Sequence, residues 1–92
     1  MATTIGTAIK DPQATLDYPI NWAPWLTTDT ISSVVWTVPT GITQTATSNT
    51  TTTATIWLSG GEVGTEYTVT CRVTTTAGRI DERSIAIRVA QR

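Results

Sequence analysis

Histidine and phenylalanine are both absent from this 92-residue sequence, and cysteine occurs only once, as Cys71. The lack of histidine excludes a Ser-His-Asp or Cys-His catalytic arrangement and most zinc sites. A lone cysteine excludes a disulfide within the chain, and its inward position on a predicted strand indicates a buried, inert thiol. The carboxylates are scattered, with no acid–base pair at a readable spacing. We therefore expect no enzyme activity, no cofactor and no metal.

Charged residues are also few. Six basic residues and a formal net charge of −1 argue against nucleic-acid binding, because neutralising phosphates requires clustered Lys and Arg side chains. The first residues lack the charged and apolar segments of a signal peptide, and no apolar run approaches the length of a membrane span. We expect a protein with neither nucleic-acid nor membrane partners, made and folded in a cytoplasm.

Threonine, by contrast, makes up about a quarter of the chain, and β-branched residues favour strands over helices. No stretch repeats apolar residues at the helical spacing over three turns. The length suits one domain over residues 1–92 with a single core. The composition therefore predicts an all-β fold.

The stretch 57–73 is the best-defined part of the pattern. Apolar Tyr67, Val69 and Cys71 alternate with polar residues, as on a strand with one face in the core. The glycine-rich corner before it, with a tyrosine just after, is typical of the tyrosine corner of immunoglobulin-like domains. We predict an immunoglobulin-like antiparallel β-sandwich of about seven strands without a disulfide, whose core includes Trp36, Tyr67, Val69, Cys71, Ile85 and Ile87.

The remaining tryptophans are candidates for a protein interface. Trp22 and Trp25 lie in an irregular aromatic segment that either plugs one end of the sandwich or forms an exposed binding surface. Trp57 falls on the outward parity of its strand, where an indole gains most when a partner covers it, although a neighbouring loop would also bury it. The predicted first strand, near residues 3–10, offers an edge for pairing with a partner.

Two polar segments are interpreted more simply. Residues 48–53 are predicted to form a solvated connection between strands. The alternating charges of residues 79–83 fit either a solvated strand tip or the rim of an interface.

The chain also resembles a family of small structural proteins of tailed bacteriophages, of the fibre-tail adaptor type. The resemblance extends over nearly the whole chain and is carried by Lys10-Asp11-Pro12, Leu16-Asp17-Tyr18, Asn21-Trp22, Trp25-Leu26, Asp29-Thr30-Ile31, Trp36, Trp57-Leu58-Ser59-Gly60-Gly61, Gly64, Tyr67-Thr68-Val69-Thr70-Cys71 and Gly78-Arg79. It implies an immunoglobulin-like fold, assembly in the bacterial cytoplasm and a place in the virion. What it transfers is a fold, not a site.

The leading hypothesis is a structural virion protein that joins tail, neck or fibre components through protein contacts, with self-association left open. A capsid decoration protein is the second structural hypothesis. A carbohydrate-binding module is the alternative from another class, and it requires Trp22, Trp25 and Trp57 to be exposed and coplanar.

Overall fold

The computed structural model describes residues 3–90, and side chains from residue 6 onward. Strands form 64% of these described residues, and the helical content among them is a single short turn. In chain order the elements are β1 (Thr3–Lys10), β2 (Leu16–Asn21), α1 (Ala23–Leu26), β3 (Ile31–Thr37), β4 (Ile42–Asn49), β5 (Thr53–Gly60), β6 (Glu66–Thr75) and β7 (Ile80–Val89).

The strands form two sheets that enclose the core. The first has the order β1-β7-β6-β3 and the second has the order β2-β5-β4. If the seven strands are lettered A to G in chain order, the orders β7-β6-β3 and β2-β5-β4 become G-F-C and B-E-D. These are the neighbours that the same strands have in an immunoglobulin constant-type sandwich. The prediction of an all-β sandwich with seven strands and no disulfide is confirmed.

The first strand departs from the expected antiparallel pairing. β1 runs parallel to β7, with Thr7 opposite Ala86 and Lys10 opposite Val89. The alternation of side chains places residues on faces but carries no information about strand direction, so the sequence could not reveal this pair. As predicted, β1 lies at the edge of its sheet.

The core follows the period-2 pattern of the central strands. The inward side chains of β5 and β6 are fully enclosed, namely Ala54, Ile56, Leu58, Val69, Cys71 and Val73. Ile87 is also fully buried, and Tyr67 and Ile85 are 7% and 8% exposed. Trp36 packs against this cluster from β3 but stays half-buried, so it borders the core instead of filling its centre.

β7 is buried on both faces along part of its length. Ser84 and Ala86 point away from the core, yet they are only 3% and 5% exposed. β7 lies between β1 and β6, and Ser84 shares a 2.9 Å hydrogen bond with the Thr70 hydroxyl. The outer face of this sheet is therefore tightly packed at its middle.

The predicted solvated connection at residues 48–53 is more ordered than expected. β4 extends to Asn49, and the Thr50 hydroxyl accepts hydrogen bonds from the backbone N–H groups of Thr52 and Thr53 at 3.2 and 3.0 Å. The carbonyl groups of Thr51 and Thr52 accept hydrogen bonds from the backbone N–H groups at positions 31 and 22. Threonine hydroxyls that bond to their own backbone organise this turn.

Candidate interaction surfaces

Trp57 is the aromatic residue that the fold presents on the outside of a sheet. Its neighbours Ile56 and Leu58 are fully buried, so alternation along β5 places the Trp57 ring on the opposite, outer face. β5 is the middle strand of its sheet, and Trp57 lies opposite Asp17 on β2 and Ala46 on β4. The indole is half-buried by these neighbours.

The residues around Trp57 are small or polar, so they leave the indole as the one large side chain of the surface. We use the term Trp57 face for the set Asp17, Pro19, Thr43, Ala46, Thr55, Trp57 and Ser59, which share this side of the sheet by register. The β4 register shifts between Gln44 and Ala46, and there the Thr45 hydroxyl donates to the Trp57 carbonyl oxygen at 3.3 Å. A β-bulge thus lies directly beside the indole, a position where bulges commonly redirect side chains.

Trp22 does not belong to any exposed surface, and its interpretation as an interface residue is wrong. The side chain is fully buried, and its backbone N–H donates to the Thr52 carbonyl at 2.8 Å. The Arg83 guanidinium lies 4.3 Å from the centre of the Trp22 ring, the geometry of a cation–π contact. The alternative reading of this segment, a plug at one end of the sandwich, fits Trp22.

The three tryptophans also fail to form a common platform. The rings of Trp22 and Trp25 meet edge to face, with centroids 5.4 Å apart and planes inclined by 67°. Since Trp22 is enclosed, a sugar ring has no access to it. The arrangement required of a carbohydrate-binding module is therefore absent.

Trp25 is half-buried beneath an arginine from the β6–β7 hairpin. The Arg79 guanidinium lies 4.3 Å from the Trp25 ring centre. Its Nη2 group donates to the Leu26 carbonyl at 3.0 Å, so it satisfies an acceptor at the end of α1. Nε forms an ion pair with Asp29 at 3.2 Å. The charged segment 79–83 thus begins with a residue that holds the aromatic segment in place.

Asp29 is strongly stabilised in its ionised form. Its carboxylate accepts hydrogen bonds from the backbone N–H groups of Thr30 and Ala77 at 2.8 and 3.2 Å. The hydrogen bond from the Thr75 hydroxyl contributes most to lowering the pKa of Asp29 from 3.8 to about 2, and these two backbone bonds and Arg79 add to it, against the opposing effect of desolvation. Asp29 joins the end of the aromatic segment to the β6–β7 hairpin.

The pKa of Cys71, in contrast, is raised. Burial raises the pKa of the thiol to about 12, and contact with the Trp22 indole and the charge of Arg83 only partly oppose that rise. A thiol is nucleophilic as its thiolate, so this side chain is inert at neutral pH.

Lys10 is a buried residue for which the sequence predicted no structural role. Its side chain has no exposed surface, and Nζ donates to the carbonyl oxygens of Asp11 and Gly60, each at 2.8 Å. Burial lowers the pKa of this lysine, although the charge of Asp11 acts in the other direction. Lys10 thereby ties the end of β1 to the end of β5. The sequence pattern pointed the other way, since the apolar residues Ile5 and Ile9 share the opposite parity of β1, yet Ile9 is 52% exposed.

A shallow groove runs between the two edge strands β1 and β2. It encloses about 230 Å³ and is lined by Gly6, Thr7, Ala8, Tyr18, Pro19 and Ile85. The groove adjoins the free edge of β1, the strand proposed from sequence for pairing with a partner. A bound segment pairing with that edge would be able to place a small apolar side chain in the groove.

The described part of the chain contains no group of three or more His, Cys, Asp and Glu side chains able to hold a metal. Over the same residues, no helix is long and apolar enough to cross a membrane.

Comparison with known families gives a match over most of the chain. Residues 10–88 match the family model Gp77, described as podophage GP4 fiber-tail adaptor protein gp77. No individual curated protein matches the chain. The matched segment extends from the buried Lys10 to the penultimate residue of β7 and so includes both sheets apart from most of β1.

Proposed function

The chain belongs to the podophage GP4 fiber-tail adaptor family, and from this premise we propose that it is a non-enzymatic structural protein that joins tail and fibre components of the virion. It acts as one domain through direct contacts with other virion proteins, after assembly in the cytoplasm of the bacterial host. Because a fold of this kind supports many functions, the fold alone does not define the role. The contact surfaces of the chain carry it.

The observation that carries this proposal is the position of Trp57. Tryptophan is enriched among the residues that dominate protein interfaces, above all where small neighbours let a partner pack closely around it. The Trp57 face supplies such neighbours on three strands. Because the indole is only half-buried, a partner would bury the remainder and gain the free energy of its desolvation.

The free edge of β1, together with its groove, is the second proposed contact region. β1 pairs with β7 on one side only, so its other side offers backbone groups to an added strand. An adaptor needs at least two such regions, because it must hold two different components at once. The Trp57 face and the β1 edge lie on different sheets, as that role requires.

The proposal is tested by substituting Trp57 with Ala in the phage and measuring how much of the chain and of the fibre is present in purified particles. Loss of an interface tryptophan commonly costs about 2 kcal/mol or more of binding free energy, roughly thirtyfold in affinity. We expect the purified variant to remain folded and the particles to lose both components.

Ile80→Ala is the matched control. Ile80 is 53% exposed on the outer face of the other sheet, so the substitution also removes an exposed apolar side chain but leaves the Trp57 face intact. Particles with this variant should retain the chain and the fibre. Normal particles with Trp57→Ala, or an unfolded Trp57→Ala chain, would refute the proposed role of the indole.

A further inference from the structure

The charges of this chain are distributed unevenly. Every Asp, Glu, Lys and Arg lies outside residues 30–61, a span that contains β3, β4 and β5. Chains usually place charges or proline on free strand edges, because unpaired backbone groups otherwise attract other strands. The uncharged span includes one such edge in each sheet, β3 in the first and β4 in the second.

β4 is the less protected of the two edges of its sheet. At the other edge, β2 carries Asp17 and Pro19, and proline cannot donate a hydrogen bond to an added strand. β4 has no charged residue and no proline, and Thr43 through Asn49 are exposed without interruption. Its bulge lies between Gln44 and Ala46, which leaves the part from Ala46 to Asn49 regular.

We propose that β4 pairs with β4 of a second copy of this chain, so that two three-stranded sheets become one sheet of six strands. A twofold axis places the same strand on both sides of such an interface. Like charges directly opposite each other destabilise a strand pair, and β4 brings none. Its threonine and serine side chains are of the kind that forms favourable hydrogen-bonded pairs across neighbouring strands.

The second copy fits this edge better than a charged partner does. A partner that recognises by charge finds no counter-charge anywhere on β4, whereas an identical uncharged strand needs none. The proposal stands apart from the adaptor function, since it concerns contacts between copies and uses neither the Trp57 indole nor the β1 edge.

The size of the contact sets the strength of the association. Even the full eight residues of β4 extend only about 27 Å, so pairing along this edge buries less surface than the roughly 1,200 Å² of a stable interface. Free chains should therefore associate weakly and in proportion to concentration. Inside an assembly, where neighbouring copies are held close, the effective concentration rises and favours the paired state.

Sedimentation equilibrium of the full chain over a range of concentrations, up to about 1 mM where such weak contacts appear, tests the proposal. The mass should rise from 9.9 kDa toward twice that value. Thr47 lies in the regular part of β4, so a twofold axis through that part brings the two copies of Thr47 close together. Thr47→Lys and Thr47→Glu, each alone, should therefore raise the apparent dissociation constant about tenfold or more, because like charges meet. An equimolar mixture of the two variants should restore association, because opposite charges then face each other.

Thr68→Lys is the control, since Thr68 is an exposed threonine on β6, which has strands on both sides. It should associate as the natural chain does. Circular dichroism of all three lysine and glutamate variants verifies that they are folded. A natural chain that stays monomeric throughout would overturn the proposal, and so would Thr47 variants that associate normally or a mixture that does not recover.

Discussion

The Tyr67 hydroxyl accepts a hydrogen bond from the backbone N–H of Glu62 at 3.0 Å. The bond joins the start of β6 to the glycine-rich corner before it, as the sequence predicted from the tyrosine corner of immunoglobulin-like sandwiches. The Tyr67 side chain is 7% exposed, so water has little access to replace the lost partner. This contact is therefore expected to contribute to stability.

Tyr67→Phe should lower the free energy of unfolding by about 1–3 kcal/mol, because the Glu62 N–H loses its acceptor. Urea unfolding followed by tryptophan fluorescence measures the change. Thr68→Ala, at the exposed neighbouring position, should stay within about 0.5 kcal/mol of the natural chain. Equal stability of Tyr67→Phe and the natural chain would mean that the bond contributes nothing.

Two adjacent glycines in the same corner allow the effect of backbone strain to be separated from that of crowding. Gly60 and Gly61 both have positive φ, +75° and +97°, but only at Gly61 would a Cβ atom meet a close neighbour, Val89 Cγ2 at 2.6 Å. Gly60→Ala should cost about 1–2 kcal/mol of stability through strain alone. Gly61→Ala should cost about 1–3 kcal/mol more, since Val89 is fully buried and must move.

The two glycine variants are compared by thermal and urea unfolding under identical conditions. Because strain applies to both substitutions, the difference between them isolates the contact with Val89. Equal destabilisation would contradict the close packing of β7 against the corner.

Asp29 should make the stability depend on pH in the acidic range. Its pKa falls from 3.8 to about 2 on folding, so the unfolded chain takes up a proton at a higher pH than the folded one. The stabilisation is complete above about pH 4 and declines as the pH falls toward 2. The unfolding temperature of the natural chain should drop across this window, whereas Asp29→Asn should begin lower and show a shallower decline. Parallel curves for the two chains would contradict the role of Asp29.

The sequence predicts best where the chain alternates regularly. The inward and outward sides of β5 and β6, including the outward parity of Trp57, follow from a period of two residues because each strand has one face on the core. β7 shows the limit of that argument. Ser84 and Ala86 are buried on the outer face by strands on both sides, and such cover depends on sheet order, which alternation does not encode.

Side-chain positions in irregular segments are harder to predict from the sequence. Trp22 precedes a single helical turn, so no period assigns its side chain to a face, and the residue pattern alone left both the plug and the exposed surface open. Arg83 was readable in principle, since it shares the parity of Ile85. Its position over the Trp22 ring depends on how the aromatic segment folds across the sandwich end, a contact between residues far apart in sequence.

Cryo-electron microscopy of the virion tests the central claim most directly. The account predicts that the chain lies where the fibre meets the tail, with the Trp57 indole covered by a neighbouring protein. Density spread over the capsid shell would support a decoration protein instead. A chain at the tail whose Trp57 faces solvent would contradict the Trp57 face as the contact surface.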